Sequence, residues 1–216
     1  MINNFLTQKI TRKKIGEFVA KNATDKLTLD LGCSNSPYID LFPNRVGFDI
    51  KKGKGVDMIG DAHSLPFENE KFEVILCTEL LEHLYNPFKA IEEMHRVLKP
   101  GGKLILTTRF IFPIHDGPGD FFRFTIYGLK KMFENGWRIK EIEEEVESVK
   151  IFAVLLQRYA FQNELNKVVK AFLFLFSKFL NKIPNFSKGE FMNLKKAKIE
   201  HSIMTSGYYL ILEKML

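Results

Sequence analysis

The 216-residue chain is poor in cysteine and contains no apolar run of the length that spans a bilayer. Two cysteines, Cys33 and Cys77, cannot build a disulfide framework, so we expect reduced thiols in a cytoplasmic protein. The start of the chain has neither a long apolar core nor a small-residue cleavage site, and no secretion signal is expected. With 45% hydrophobic and 27% charged residues, the composition is typical of a globular protein.

Glycine is scarce where a nucleotide-binding loop would need it. The segment LTLDLGCSNSPYIDLFP, residues 27–43, reads as a buried strand that ends in Asp30 and enters a turn with one glycine, Gly32. A dinucleotide site would show G-x-G-x-x-G here, so that a pyrophosphate could rest on a helix N-terminus. The missing glycines argue against a nicotinamide-dependent oxidoreductase. They favour a ligand without phosphate that offers a positive group to the acidic strand end.

Apolar strands alternate with helical periodicity through the first 110 residues. Strands are predicted at 26–32, 45–50, within 56–67, at 72–79 and at 103–110, and helices at 3–21 and 87–98. This order predicts an α/β protein with a doubly wound, mainly parallel, Rossmann-like sheet. Residues 1–216 are expected to form a single domain. Helices from about 150 to 182 make residues 148–206 a helical insertion before the last strand.

The formal net charge of +6 is concentrated in the last third of the chain. Residues 1–147 hold 21 basic and 22 acidic side chains, a net of −1, and residues 148–216 hold 11 and 4, a net of +7. Within the tail, residues 164–182 form an amphipathic helix with lysines on one arc and leucine, valine and phenylalanine opposite. It is expected to contact a membrane surface peripherally, to pair two copies of the chain, or to pack on the core.

S-adenosylmethionine (SAM) carries an ammonium, a sulfonium and a ribose diol but no phosphate, and so suits the loop after the first strand. Residues 30–36, Asp-Leu-Gly-Cys-Ser-Asn-Ser, resemble motif I of the class I SAM-dependent methyltransferases, Asp-x-Gly-x-Gly-x-Gly, with serine at the second and third glycines. GDAHSLPF and FEVILCTELLEHLYNPFKAIEEMHRVLKPGGKLILTT resemble later segments of the family. The resemblance covers roughly residues 25–135 and implies SAM as the cofactor.

The same resemblance implies roles for residues on the cofactor side. Asp49, 19 residues after Asp30, would bind the ribose diol, Asp61 the adenine amino group, and the Ala62 amide a ring nitrogen. The other implied cofactor contacts are Asp30, Gly32, Cys33, Ser34, Ile50, Thr78 and His83. No metal site is predicted.

The segment RFIFPIHDGPGDFFRFT, residues 109–125, follows the fifth strand on the ligand side of the sheet and mixes titratable with aromatic side chains. Its spacing H-x-x-P-x-D-x-x-R-x-T resembles methyltransferases of glycan and polysaccharide biosynthesis. His115 is the preferred general base, with Asp116, Asp120 and Glu79 as alternatives, and Arg123 could hold an anionic acceptor. Alternatively, this segment is a lid in which Asp120 and Arg123 form a structural pair.

The sequence therefore predicts a SAM-dependent methyltransferase acting on a small-molecule or glycan acceptor. A nucleic acid acceptor is not expected. The alternative is a non-catalytic binding module of the same fold, which uses its basic tail for a membrane or a nucleic acid.

Overall fold

The computed structural model describes residues 9–146, 148–184, 190–192, 195–197, 202 and 204–216. The helices are α1 (Ile10–Lys21), α2 (Pro87–Val97), α3 (Ile126–Met132), α4 (Ile151–Gln162) and α5 (Lys167–Lys182). The strands are β1 (Thr28–Leu31), β2 (Arg45–Asp49), β3 (Met58–Ile59), β4 (Phe72–Thr78), β5 (Leu98–Arg109), β6 (Trp137–Glu144), β7 (Glu190–Met192), β8 (Lys195–Ala197) and β9 (Gly207–Lys214).

Seven strands form one sheet in the order β3-β2-β1-β4-β5-β9-β6. The pairs β2–β3, β1–β2, β1–β4 and β4–β5 are all parallel. The apolar run of β4 is buried at nearly every position, as expected for a central strand covered on both faces. The predicted doubly wound, mainly parallel α/β fold is confirmed, and the last strand lies between β5 and β6.

Element boundaries differ from the prediction at the third strand, where only Met58 and Ile59 pair, and at the fifth strand, which begins at Leu98 and not at residue 103. Asp57, just before β3, also bonds to β2: its amide donates to the Gly47 carbonyl oxygen at 2.9 Å, and its carboxylate accepts from the Gly47 amide at 2.7 Å. Residues 3–8 of the predicted first helix lie outside the described part of the chain. The N-cap of α2 is Asn86, whose side chain accepts a hydrogen bond from the Lys89 amide, and proline stands in the first turn as expected.

The chain divides into two compact units. The sheet unit comprises Gly16–Arg109, Ile114–Glu143 and Tyr208–Leu216. Its core contains fully buried side chains of β1, β4 and β9, among them Leu29, Ile75 and Leu212. Within this unit, the rings of Phe18 and Tyr209 stack at 4.8 Å between centroids.

The helical unit consists of the described residues of Met1–Ile15, Phe110–Pro113 and Glu144–Gly207. Phe112, Val146 and Val154 form a small buried cluster against which Ile10 packs. Phe161 and Phe174 make an edge-on contact between α4 and α5 at 4.9 Å. The predicted helices at about 150–182 are therefore present. Residues 185–189, 193–194, 198–201 and 203 of the predicted insertion lie outside the described residues, and its bounds and the single-domain organisation stay predictions.

Candidate functional site

The carboxyl ends of β1, β2, β4 and β5 meet at one edge of the sheet. In the register, Leu31 of β1 lies beside Phe48 of β2 and Cys77 of β4. The strand order reverses at β1, because β2 pairs with β1 on one side and β4 pairs with it on the other. Open α/β sheets bind ligands outside the carboxyl ends of the strands at such a reversal of strand order.

The loop after β1 approaches the loop after β4 closely. Gly32 has a φ of +74°, and a Cβ atom there would lie 2.8 Å from a methyl carbon of Leu80. This position therefore requires glycine for both its backbone conformation and its space. Ser34, at the second glycine of the family pattern, also has a positive φ of +47°. Its amide donates a hydrogen bond to Asp49 Oδ2 at 3.0 Å, which links the loop to the end of β2.

Asp30 is buried, and its carboxylate is held by protein groups. Its Oδ2 accepts a 2.6 Å hydrogen bond from the Ser36 hydroxyl and lies 3.7 Å from Arg45 Nη1. Burial raises the pKa of Asp30, and the Ser36 hydrogen bond and the Arg45 charge offset this only in part. These contacts fit a carboxylate that shapes the loop from beneath. Direct contact with the cofactor stays a prediction.

Cys33 anchors the same loop to the segment after β2. Its sulfur lies 3.2 Å from the Gly55 carbonyl oxygen, and burial raises the pKa of the thiol to about 12. Gly53 passes so close to the loop that a Cβ atom would lie 2.4 Å from the Ser34 carbonyl oxygen. A protonated, packed thiol is suited to a structural role in the loop.

Asp49 closes β2 with its carboxylate pointing back to backbone amides. Its two oxygens accept hydrogen bonds from the amides of Ser34 and Lys51, both at 3.0 Å. The next residue, Ile50, is 66% exposed and offers an apolar surface beside this carboxylate. An acidic group and an apolar side chain at one strand end are the elements needed to bind a ribose and an adjoining base.

Asp61 and Ala62 follow β3, and Asp61 is held by its own turn. Its Oδ1 accepts hydrogen bonds from the His63 amide at 2.9 Å and from the His63 ring at 2.5 Å. The backbone hydrogen bond from His63 is the main reason that the pKa of Asp61 is lowered. The His63 ring also stacks on Tyr85 at 3.9 Å. Ala62 is buried at this turn, and its role toward the cofactor stays a prediction.

Thr78 ends β4, and Glu79 after it turns the chain with a φ of +54°. Glu79 Oε1 accepts a hydrogen bond from the Thr107 hydroxyl at 3.2 Å, and Glu79 Oε2 forms an ion pair with Arg109. The Arg109 side chain is only 2% exposed, so this pair is largely removed from solvent. Glu79 therefore neutralises a buried cation, in addition to any role toward the substrate.

Glu82 lies in the same segment and was not among the residues predicted for catalysis or cofactor binding. Its side chain is fully buried, and Oε2 accepts a 2.8 Å hydrogen bond from the Thr108 hydroxyl. Its carbonyl oxygen accepts hydrogen bonds from the Phe121 and Phe122 amides. Burial raises the pKa of Glu82, against the lowering influence of Arg109. Glutamate is seldom fully buried unless it is paired. The sequence alone therefore does not predict a buried glutamate at this position.

The loop after β5 brings the predicted acceptor-side residues together. The His115 amide donates to Asp120 Oδ2 at 2.9 Å, and the Nδ1 atom of its ring lies 3.4 Å from the same oxygen. Arg123 binds both oxygens of Asp120 at 2.6 Å. Burial raises the pKa of Asp120, but the hydrogen bonds from Arg123 and His115 outweigh it and lower the value to about 2. The Asp120–Arg123 pair is present, as the lid interpretation expected.

His83 joins this loop to the end of β4. Its Nδ1 atom lies 2.7 Å from the Gly119 carbonyl oxygen, and its ring meets that of His115 edge-on at 4.8 Å. The structure thus brings His115, Asp120 and Arg123, which were predicted for catalysis, into one cluster with His83, which was predicted for the cofactor. Glu79, also predicted for catalysis, pairs instead with Arg109.

In the helical unit, the apolar stripe of α5 faces outward. Phe172 and Phe179 are more than half exposed, and Phe176 stacks between them. The buried positions of the helix are Phe174 and Ser177. Among the described residues, no helix combines the length and the hydropathy needed to cross a membrane.

The chain is similar to known proteins in both sequence and fold. Residues 22–106 match the family model of a methyltransferase domain. The tRNA U34 carboxymethyltransferase of Campylobacter fetus is 32% identical over 110 residues, covering 42% of this chain and 39% of that protein. The demethylmenaquinone methyltransferase of Paenarthrobacter aurescens is 37% identical over 98 residues, covering 41% of this chain and 38% of that protein. The chain thus spans about two fifths of the length of these curated relatives.

Solved structures extend the likeness of fold over most of the chain. A SAM-dependent methyltransferase from Methanosarcina mazei superposes with a TM-score of 0.51 at 16% identity, covering 92% of this chain and 97% of that chain. At this identity the likeness concerns the fold. Residues 22–106 match a methyltransferase domain, which supports the recognition of this chain as a class I SAM-dependent methyltransferase.

Proposed function

We propose that this chain binds SAM at the carboxyl edge of the sheet beside β1 and β2, and transfers its methyl group to a small-molecule or glycan acceptor. The observation that carries the proposal is the linkage of Ser34 to Asp49 at the point where the strand order reverses. A carboxylate and a tight loop stand there, without the glycine pattern that a pyrophosphate requires.

On the cofactor side, binding depends on groups already oriented in the fold. Asp49 is fixed by two backbone amides and accepts the ribose hydroxyls, while Ile50 covers the base. Asp61 is fixed by His63 in the next turn and accepts the adenine amino group. Asp30 keeps the loop in shape from beneath through Ser36 and Arg45. Preorganised acceptors lose little entropy on binding, which favours affinity.

On the acceptor side, the main task is alignment. Methyl transfer is an in-line displacement at the sulfonium methyl, and the positive charge on sulfur is neutralised as the new bond forms. Holding the acceptor atom close to the methyl group and excluding water can lower the barrier by several kcal/mol. Phe121 and Phe122 are both exposed on the loop after β5 and supply apolar contact to the acceptor.

An oxygen or nitrogen acceptor also loses a proton. His115 is suited to accept it, because its imidazole lies beside the Asp120 carboxylate, with Nδ1 3.4 Å from Oδ2, and a nearby carboxylate stabilises the imidazolium that forms. Asp120 has a lowered pKa and stays ionised, so it orients the imidazole rather than exchanging protons itself. Arg123 is bound by Asp120, and any anionic acceptor has to share that guanidinium with the carboxylate.

The acceptor class is inferred from the named relatives and from the distribution of charge. The curated relatives are named for tRNA and demethylmenaquinone, but the shared part is about two fifths of their length. Residues 1–147, which contain the matched domain, carry a net charge of −1 and attract the tRNA backbone little; the excess of +7 lies in residues 148–216. A small-molecule or glycan acceptor fits the charge of the matched domain better, and transfer to tRNA is the outcome that would revise it.

Calorimetry with SAM and with S-adenosylhomocysteine tests the cofactor proposal. Micromolar binding with one site per chain supports it, and no binding by folded protein favours the non-catalytic module. His115→Ala should leave SAM affinity nearly unchanged and lower transfer strongly in single-turnover assays with candidate acceptors. A variant that loses cofactor affinity but keeps full turnover at saturating SAM would contradict the acceptor-side role of this loop.

We also propose that α5 contacts a membrane surface. Its exposed phenylalanines 172, 176 and 179 form an apolar stripe. On the opposite arc of the helix, lysines 167 and 182 are exposed, and lysines 170 and 178, one turn either side of the buried Phe174, are half-buried. Each lysine near an anionic surface contributes about 1 kcal/mol, so adhesion should be weak and salt-sensitive. The alternative is pairing of two copies through the same stripe.

Sedimentation with anionic liposomes at low and high salt tests this contact. The wild type should sediment at low salt only, and the fourfold Lys→Gln variant of α5 should stay in solution. A matched control changes Lys13 and Lys14 of α1, both exposed, and should sediment like the wild type. If the wild type ignores liposomes and light scattering gives a dimer, the stripe is an interface between copies.

A further inference from the structure

Three side chains at the end of the sheet unit could share a cation. Glu82 and His83 lie in the short 3-10 helix Leu81–His83 after β4, and His115 comes from the loop after β5. One potential ligand atom from each of the three lies within 4.8 Å of those of the other two. His115 is 32 positions from His83 in the sequence, so only the fold brings the three together.

The His83 imidazole is oriented in the way that metal-ligating histidines are. Its Nδ1 atom lies 2.7 Å from the Gly119 carbonyl oxygen, an acceptor that requires a proton on that nitrogen and leaves the lone pair on Nε2. The Nδ1 atom of His115 lies 3.4 Å from an oxygen of the Asp120 carboxylate. Metal-bound histidines typically direct their other ring nitrogen to a backbone carbonyl or a carboxylate in this way.

The carboxylate of Glu82 gives a second, independent observation. Its Oε2 is held by Thr108, but its Oε1 is buried without a hydrogen-bond partner. The neighbouring carboxylates of Glu79 and Asp120 are paired with Arg109 and Arg123. A buried carboxylate oxygen without a partner is costly, and a bound cation would satisfy it.

We infer that Glu82, His83 and His115 form a binding site for one divalent first-row transition-metal ion such as Zn²⁺. Two imidazole nitrogens and one carboxylate oxygen suit such an ion better than Mg²⁺ or Ca²⁺, which prefer oxygen ligands alone. Three protein ligands leave a fourth position open for an oxygen of the acceptor. When the ion is bound, His115 is a ligand and no longer the general base of the proposed function. The cation lowers the pKa of the acceptor hydroxyl that it binds, and the proton passes to solvent water before methyl transfer.

Metal binding can be measured without SAM or an acceptor, so its outcome is separate from that of the proposed function. Tag-free protein is stripped with a chelator and titrated with Zn²⁺ by calorimetry, and with Co²⁺ by visible absorption. The expected result is one ion per chain. His83→Ala and His115→Ala should each weaken Zn²⁺ binding by at least about tenfold. His95→Ala, which removes a histidine outside the cluster, should bind like the wild type.

A thermal-shift series tests the role of the buried Glu82. Zn²⁺ should raise the Tm of the wild type with increasing concentration, and this shift should be lost in Glu82→Gln. If Glu82→Gln does not fold, the two histidine variants decide. The inference is overturned if folded wild type takes up no stoichiometric Zn²⁺, or if both histidine variants retain its affinity.

Discussion

The cofactor side and the acceptor side of the sheet edge are both lined with carboxylates, but these are held in different ways. On the cofactor side, Asp49 and Asp61 accept hydrogen bonds from backbone amides, and Asp30 beneath the loop is the exception, because it is buried beside Arg45. On the acceptor side, Glu79 and Asp120 are ion-paired with arginines, and Glu82 is fully buried. Backbone amides thus fix Asp49 and Asp61, whereas arginines balance Glu79 and Asp120.

The difference indicates what each side can do. Carboxylates held by amides can accept further hydrogen bonds from a cofactor that binds and dissociates. Buried ion pairs depend on both partners, because the loss of one leaves an uncompensated charge. We therefore expect cofactor-side substitutions to change affinity while the fold remains, and acceptor-side substitutions to change stability as well.

The largest effect is expected for Glu79→Ala. Arg109 is almost completely buried, and removal of its ion-pair partner should lower the free energy of unfolding by about 3–5 kcal/mol. Urea denaturation followed by circular dichroism measures this change. The matched control is Glu134→Ala, which breaks an exposed pair with Lys131 and should cost less than about 1 kcal/mol. Equal losses for the two variants would remove the distinction between buried and exposed pairs.

Asp49→Ala should act on affinity. The variant loses a charged acceptor for the ribose hydroxyls and the link to the Ser34 amide, so SAM binding should weaken by about 1–3 kcal/mol. Calorimetry measures the affinity, and circular dichroism should show an intact fold. Unchanged affinity in folded protein would contradict the ribose-binding role.

Asn86→Ala is the companion variant, since it removes the N-cap of α2. It should cost about 1 kcal/mol of stability and leave SAM affinity unchanged. The two variants together separate an effect on the cofactor from an effect on the fold. A fall in affinity for Asn86→Ala would mean that this N-cap belongs to the site.

The smallest effect concerns His95, on α2 and away from both sets of carboxylates. Burial lowers the pKa of His95, although a hydrogen bond with the Gly136 carbonyl oxygen raises it. The folded state therefore holds the ring neutral at a pH where the unfolded chain, with a pKa of about 6.5, is protonated. Stability should fall as pH falls through this range, and His95→Gln should reduce the slope of unfolding free energy between pH 7.5 and 5.5. An unchanged slope would mean that another group sets it.

The positions of most strands and the doubly wound, mainly parallel fold class could be predicted, because periodicity and strand-end chemistry are local. β1, β2 and β4 were predicted to within two residues at either end, and the Asn86-Pro87 start of α2 is also confirmed. β3 was predicted too long: the Asp57 and Gly60 amides on either side of it still bond to β2, but the chain then turns at Asp61.

The partners of buried charges could not be predicted in the same way. Asp30 binds Arg45, 15 residues away, and Glu79 binds Arg109, 30 residues away. These contacts depend on the pairing of strands that sequence patterns do not specify residue by residue. The outward orientation of the α5 stripe was also not decided by sequence, since an amphipathic pattern is the same for a core-facing and an exposed helix. The site assignments themselves stay predictions.

The hydroxyl of Ser36 has a consequence for protein engineering. Ser36 occupies the third glycine position of the family pattern, and its hydrogen bond is what the buried Asp30 carboxylate receives from the loop. A consensus redesign that restores this glycine would remove that donor and also add freedom to the unfolded chain. Homologue searches that require three glycines would, for the same reason, miss chains in which a serine hydroxyl holds the loop. The useful search pattern is therefore a strand-end aspartate with a donor six residues later.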